Sequence, residues 1–190
     1  MAKSGVIVAF RSAQEIESMA ATVRRHLGVP KGARISMQPI VEHMLDLIFE
    51  DGHFEIEEDR KMGGAEARTA QYEPKIIISQ STYDALERGE GRARMTIAHE
   101  IGHLLMHCQR PVTLNRSPRY DQRYDPEWQA DVFAAALLMP RGAFQRCKTV
   151  REAMIAFGVT WSAAVRRAQV LHVELAGMPE PKGAAMKKGR

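Results

Sequence analysis

The sequence predicts an α+β protein, mostly helical, with a small sheet of a few strands. Three features carry that prediction. Apolar residues recur at helical spacing between recognisable caps, two short runs between residues 53 and 79 have strand character, and the order is helices, strands, then helices. That order argues against alternating βα units. The 190 residues are about one domain's worth of chain, enough to bury a core without disulfide staples.

Taken in order, Ser12 with Glu15 three residues on reads as a capping box for a helix running to about Leu27, stopped by Gly28 and Pro30. Ser36 is a cap candidate for a second helix, in which Ile40, Val41, Met44, Leu45 and Ile48 form an apolar stripe. Phe54 and Ile56 alternate with acidic residues as in a half-buried strand. Residues 59–71 read as a loop or a ragged edge strand, and Ile76-Ile77-Ile78 is the best strand in the chain. Ser81 begins a short helix ended by the glycines at 89 and 91.

Two well-marked helices follow. The first covers about Arg94 to His107, with Ile97, Ile101, Leu104 and Leu105 on its buried side. The second has Asp125 as cap and Pro126 in its first turn, where a missing N–H costs nothing, and it runs until Pro140. Thr149 to Leu171 reads as a helical hairpin around Gly158, with Thr160 as a cap. We divide the chain into an N-terminal helical segment (1–35), a catalytic domain (36–145), a C-terminal helical hairpin packed on it (146–175) and a basic, flexible tail (176–190).

Composition narrows the setting. The apolar fraction of 45% and charged fraction of 26% are those of an ordinary globular protein, which excludes a disordered chain. The longest apolar runs, such as Val132 to Met139, are too short to span a bilayer, and the apolar start turns polar at Arg11, too soon for a signal-peptide core. With only Cys108 and Cys147 there is no disulfide framework, and we place the protein in the cytoplasm. The net charge of +4 is mild, and much of it sits in Arg166, Arg167 and the tail residues Lys182, Lys187, Lys188 and Arg190, more in the manner of a solvated end than of a nucleic-acid surface.

The chemistry is concentrated in His99-Glu100-Ile101-Gly102-His103, an H-E-x-x-H pattern. Residues four apart share a helix face, so two imidazoles can converge on one ion while Glu100 beside them reaches the attacking water. By average residue usage the pattern arises by chance on the order of once in a few hundred chains of this length. A hydrolytic zinc site needs a third protein ligand from another direction and a vacancy for solvent. His107, one turn beyond His103, lies too close for the third histidine of the metzincin pattern and reads as a helix-end residue near the site. Glu127 is the better third ligand. Asp131 follows one turn later, placed to accept the second ring N–H of a ligating histidine.

The stretch from Arg92 to His107, together with Glu127-Trp128-Gln129-Ala130-Asp131-Val132-Phe133-Ala134-Ala135-Ala136-Leu137-Leu138-Met139-Pro140, resembles the two signatures of the ImmA/IrrE family of metallo-endopeptidases over about residues 38–175. The resemblance implies a zincin-like domain with one Zn2+ per chain on His99, His103 and Glu127, and Glu100 as general base. Asp131 stands where asparagine is the commoner residue. It implies further a protein substrate, a helix-turn-helix repressor of a bacterium or phage, cut to release the genes it holds down. Candidates for holding the oxyanion or contacting substrate are His107, Arg119, Tyr120, Arg123 and Tyr124, and the segment from Gln109 to Tyr124 is a candidate cleft wall. The alternative is a regulatory or toxin-antitoxin-type protein with a zinc site whose C-terminal hairpin, with Arg166 and Arg167, binds protein or DNA without proteolysis.

Overall fold

A computed structural model describes residues 6–114 and 120–179. The chain opens with β1 (Val6–Ile7) and α1 (Ala13–His26). Ser12 closes its capping box as the sequence predicts: its hydroxyl accepts the Glu15 N–H at 3.2 Å, and the Glu15 carboxylate accepts the Ser12 N–H at 2.7 Å. The stripe after Ser36 folds as two pieces, α2 (Met37–His43) and α3 (Leu45–Ile48), because Met44 leaves the helical region at φ −134°. Ser36 makes no side-chain cap there.

Three strands form the sheet, in the order β2 (His53–Glu57), β4 (Lys75–Ser79), β3 (Ala67–Thr69). The Ile76-Ile77-Ile78 run sits in the central strand, parallel to β2 and antiparallel to β3. The ragged stretch before it supplies β3 at the edge. Glu66 and Ala70 bond to Ser79 and Lys75 across the ladder. By the antiparallel alternation, the main-chain groups of Ala67 and Thr69 therefore point off the edge.

Next comes α4 (Gln80–Glu87), capped by Ser79 rather than started at Ser81. Gly89, at φ +72°, turns the chain into α5 (Gly91–His107), which begins at Gly91 instead of after it. Ile97, Ile101 and Leu104 are fully buried, whereas Leu105 is only half-buried. At about 1.5–3 kcal/mol for each such side chain, this face is a large part of what holds α5 in place. A two-residue β5 (Thr113–Leu114) pairs with β1, and a 3-10 turn at Gln122–Tyr124 leads into α6 (Pro126–Leu138). The Asp125 carboxylate caps α6 by accepting the Glu127 N–H at 3.0 Å.

After Pro140 a short α7 (Arg141–Phe144) precedes α8 (Val150–Phe157) and α9 (Trp161–Leu171). Gly158 joins the last two in the left-handed conformation, and Thr160 caps α9. One apolar cluster runs from Ile16 of α1 through Ile76 and Ile78 of β4 to Leu171 of α9. No helix among the described residues is long and apolar enough to cross a membrane.

The two arginines behind the hairpin have different fates. Arg166 is exposed and reaches an Asp131 oxygen at 3.4 Å. Arg167 is turned inward, 2% exposed, where its Nε donates to the Met139 carbonyl at 3.1 Å and its guanidinium pairs with Glu17 of α1 at 3.0 Å. Glu17 also pairs with Arg141 at 2.9 Å, so one carboxylate ties together α1, α7 and α9. Removing one partner of a buried pair strands the other, which typically costs about 3–5 kcal/mol. We therefore expect Glu17→Ala to lose about that much in urea unfolding, far more than Arg166→Ala on the surface.

Candidate metal centre

The centre is built by the crossing of α5 over α6. Gly102 makes the crossing close: a Cβ there would lie 3.1 Å from the Phe133 ring and 3.2 Å from the Ala130 Cα. With nothing larger than hydrogen at that position, the first turn of α6 comes level with the H-E-x-x-H turn of α5. His99, His103 and Glu127 are thereby brought together, each offering a ligand atom within 4.8 Å of the others.

Hydrogen bonds settle which ring atoms converge. His99 Nδ1 faces Asp131 Oδ1 at 3.1 Å, and since a carboxylate only accepts, that nitrogen carries the proton and Nε2 is left for a ligand. His99 Nε2 and His103 Nε2 lie 2.9 Å apart, with Glu127 oxygens at 3.3 and 3.4 Å from them. Bonds of about 2.0–2.1 Å to a tetrahedral zinc put donor atoms about 3.3 Å apart, so the spacing fits such an ion with small adjustment. Two nitrogens and a carboxylate, turned toward an open cleft, are also the donor set of a hydrolytic rather than a structural site.

Burial works against charge on His99, but the hydrogen bonds to Asp131 and Glu127 outweigh it and raise its pKa to about 10. The same contacts, from His103 and His99, hold Glu127 well below the usual carboxylate range. His107 goes the other way: burial lowers it to about 4, against the pull of its Gln129 hydrogen bond.

Glu100 is buried beside the ligands, and the Thr69 hydroxyl lies 2.9 Å from both its carboxylate and its main-chain oxygen. The edge strand thus touches the residue next to the first ligand. The cleft has a volume of about 370 Å³. It is bordered by residues 67–71, by His99, Glu100, His103 and Glu127, and by Val6, Val8 and Val112. Val112 brings the segment after Gln109 to the cleft, in line with its expected role as a wall.

The other candidates fall elsewhere. Arg123 is held by Asp121 and lies 4.8 Å over the Phe10 ring, and Tyr124 packs edge-on against Phe10. The Tyr120 hydroxyl donates to Asp125 at 3.2 Å. None of the three lines the cleft. Arg119 and the basic tail from residue 180 lie outside the described residues. His107 does border the cleft, but its ring nitrogens are taken up by His103 and Gln129. Both Asp131 oxygens have partners: one accepts from His99 and the other faces Arg166 of α9.

Sequence reasoning missed Thr69 and Gln129. Gln129 is fully buried on a helix otherwise lined with alanine, leucine and phenylalanine, and a lone amide in such a run was the available signal. Nothing around Thr69 distinguishes it before the strand is placed against α5.

An H-E-x-x-H helix, a carboxylate from the next long helix and a small sheet with its edge at the cleft are the parts that a metallopeptidase site needs. Residues 83–169 match the family model Peptidase_M78, described as the IrrE N-terminal-like domain. That span, 87 of the 190 residues, is similar to a domain of that peptidase family, in keeping with the ImmA/IrrE resemblance of the motifs. The matched span includes both histidines, Glu100, Glu127 and Asp131 but not Thr69. No curated protein matches the chain.

Removing the third donor should be specific. We expect Glu127→Gln to fold as the parent does and to retain less than a tenth of its metal after dialysis, measured by elemental analysis. Full retention would remove Glu127 from the centre.

Proposed function

We propose that the protein is a zinc-dependent endopeptidase that cuts a helix-turn-helix repressor within an extended segment. The observation that carries the reading is the convergence of His99, His103 and Glu127 beside Glu100, at the open edge of a sheet. In this reading the three side chains hold Zn2+. A bound zinc ion supplies Lewis acidity, drawing the pKa of a water it holds toward about 7.

The remaining work is done by the chain's own residues. Glu100 takes a proton from the attacking water and later hands it to the leaving amine. The Thr69 hydroxyl steadies that carboxylate, and Asp131 keeps the His99 ring turned so that Nε2 faces inward. Main-chain groups of Ala67 and Thr69, pointing off the edge of β3, suit an extended peptide that adds itself as a further strand. An open, narrow cleft of this kind favours one segment of a protein over a folded surface. The repressor as substrate follows from the family resemblance, and the cytoplasm as its setting from the cysteine usage.

The non-proteolytic alternative, with the hairpin reading DNA, has less support. Arg167 is buried against Glu17 and is not presented as a basic contact, which leaves Arg166 as the one exposed arginine of the pair.

The test is co-expression with a helix-turn-helix repressor, starting with any encoded beside the protein. Wild type should cut that partner, and Glu100→Gln should keep its zinc and cut at least 100-fold more slowly, the lower range for loss of a general base. Equal cutting by both would exclude Glu100 from the mechanism. Thr69→Val removes one hydrogen bond to a charged group, about 1.5 kcal/mol, and should lower kcat about tenfold with KM little changed.

A further inference from the structure

From His103 a chain of hydrogen bonds runs through His107, at the border of the cleft, into the protein. His103 Nδ1 lies 3.1 Å from His107 Nδ1, and His107 Nε2 lies 3.0 Å from Gln129 Oε1. Gln129 Nε2 lies 2.8 Å from the Ala9 carbonyl and 2.7 Å from the Arg123 carbonyl. Gln129 is fully buried and His107 nearly so, so water does not compete for these contacts.

Proton positions follow from the far end. Main-chain carbonyls only accept, so both Gln129 contacts to them must come from its NH2, and its oxygen is left facing His107. That oxygen accepts too, so His107 Nε2 carries a proton. A neutral His107 then has a bare Nδ1, which can only accept from His103 Nδ1–H. His103 is left with a bare Nε2, the atom that points at His99 and Glu127. Reversing any member would put a proton on the ligating nitrogen or set two donors face to face.

We infer that His107 and Gln129 are positioning residues that fix the ring tautomer of His103 and hold its Nε2 lone pair on the metal position. They act through His103 and touch neither metal nor substrate. Two carbonyls, one in the N-terminal arm at Ala9 and one before α6 at Arg123, set the direction of the whole chain. His99 receives the same service from a single carboxylate, Asp131. His103 gets it through a neutral relay. The arrangement also gives the segment before α1 a role at the centre, since Ala9 is an anchor of the relay.

This inference rests on the metal reading above, and the experiment separates the two. Long-range 1H–15N correlation spectra of 15N-histidine-labelled protein, without and with Zn2+, report the tautomer of each ring. His107 is expected as the neutral Nε2–H form in both states, and a Nδ1–H or doubly protonated His107 would overturn the relay. Failure of the wild-type protein to take up Zn2+ would instead count against the metal reading, with the tautomer still legible in the zinc-free protein.

Zinc affinity by chelator competition gives the second arm. His107→Leu should weaken Zn2+ binding by about 10- to 100-fold, the usual range for loss of such a partner. His107→Asn, whose amide oxygen can stand in for Nδ1, should recover at least half of that loss on a logarithmic scale. Thermal unfolding of the zinc-free variants shows whether packing has changed. Unaltered affinity in a folded His107→Leu would contradict the proposal, and if that variant does not fold the wild-type spectra decide.

Discussion

The structure depends on one close approach, that of α5 on α6 at Gly102. The two helices carry all the groups that converge at the centre, and neither could assemble it alone. Spacing within α5 puts His99 and His103 on one face, but a helix cannot supply a third donor from outside its own axis. The contact of Gly102 with Ala130 and Phe133 brings Glu127 across, and the buried faces around Ile97, Ile101 and Leu137 hold it there. A methyl group in that contact, at 3.1–3.3 Å from its neighbours, would press directly on the geometry of the centre.

Around that contact the polar groups are arranged by depth. Toward the cleft lie the atoms offered to a ligand, with Glu100 steadied by Thr69. Behind them lie Asp131 on one side and His107 with Gln129 on the other, each with its second partner supplied from another part of the chain. Each polar group buried here is matched donor to acceptor, as the cost of leaving one unpaired requires. The sheet contributes its edge, and β3 links the main chain that a peptide would meet to the carboxylate that would act on it.

Much of this was legible in the sequence wherever the signal was local. Ser12 with Glu15, Asp125 with Pro126, and Thr160 after Gly158 each mark a helix start through chemistry confined to a few residues, and each holds. The Ile76-Ile77-Ile78 run read as the best strand in the chain, and it forms the central one. The pairing of Glu127 with the histidines was inferable because a hydrolytic site demands a third ligand and the next helix offers one. Groups that matter through distant partners were not legible. Gln129 owes its role to carbonyls at Ala9 and Arg123, Thr69 to the docking of β3 on α5, and Arg167 to Glu17 in α1. Tyr124 and Arg123 looked available as substrate contacts because nothing in their neighbourhood reveals that they pack against Phe10. Long-range contacts of this kind leave no periodic trace in a single chain.

The claim on which everything else stands is that two imidazoles and one carboxylate hold a single divalent cation. X-ray absorption at the zinc edge of the loaded protein tests it most directly. One zinc per chain, with four or five nitrogen and oxygen neighbours at about 2.0–2.1 Å and the outer-shell scattering of two imidazole rings, is the predicted result. A spectrum without imidazole scattering, or with sulfur from Cys108 or Cys147 in the coordination shell, would contradict it.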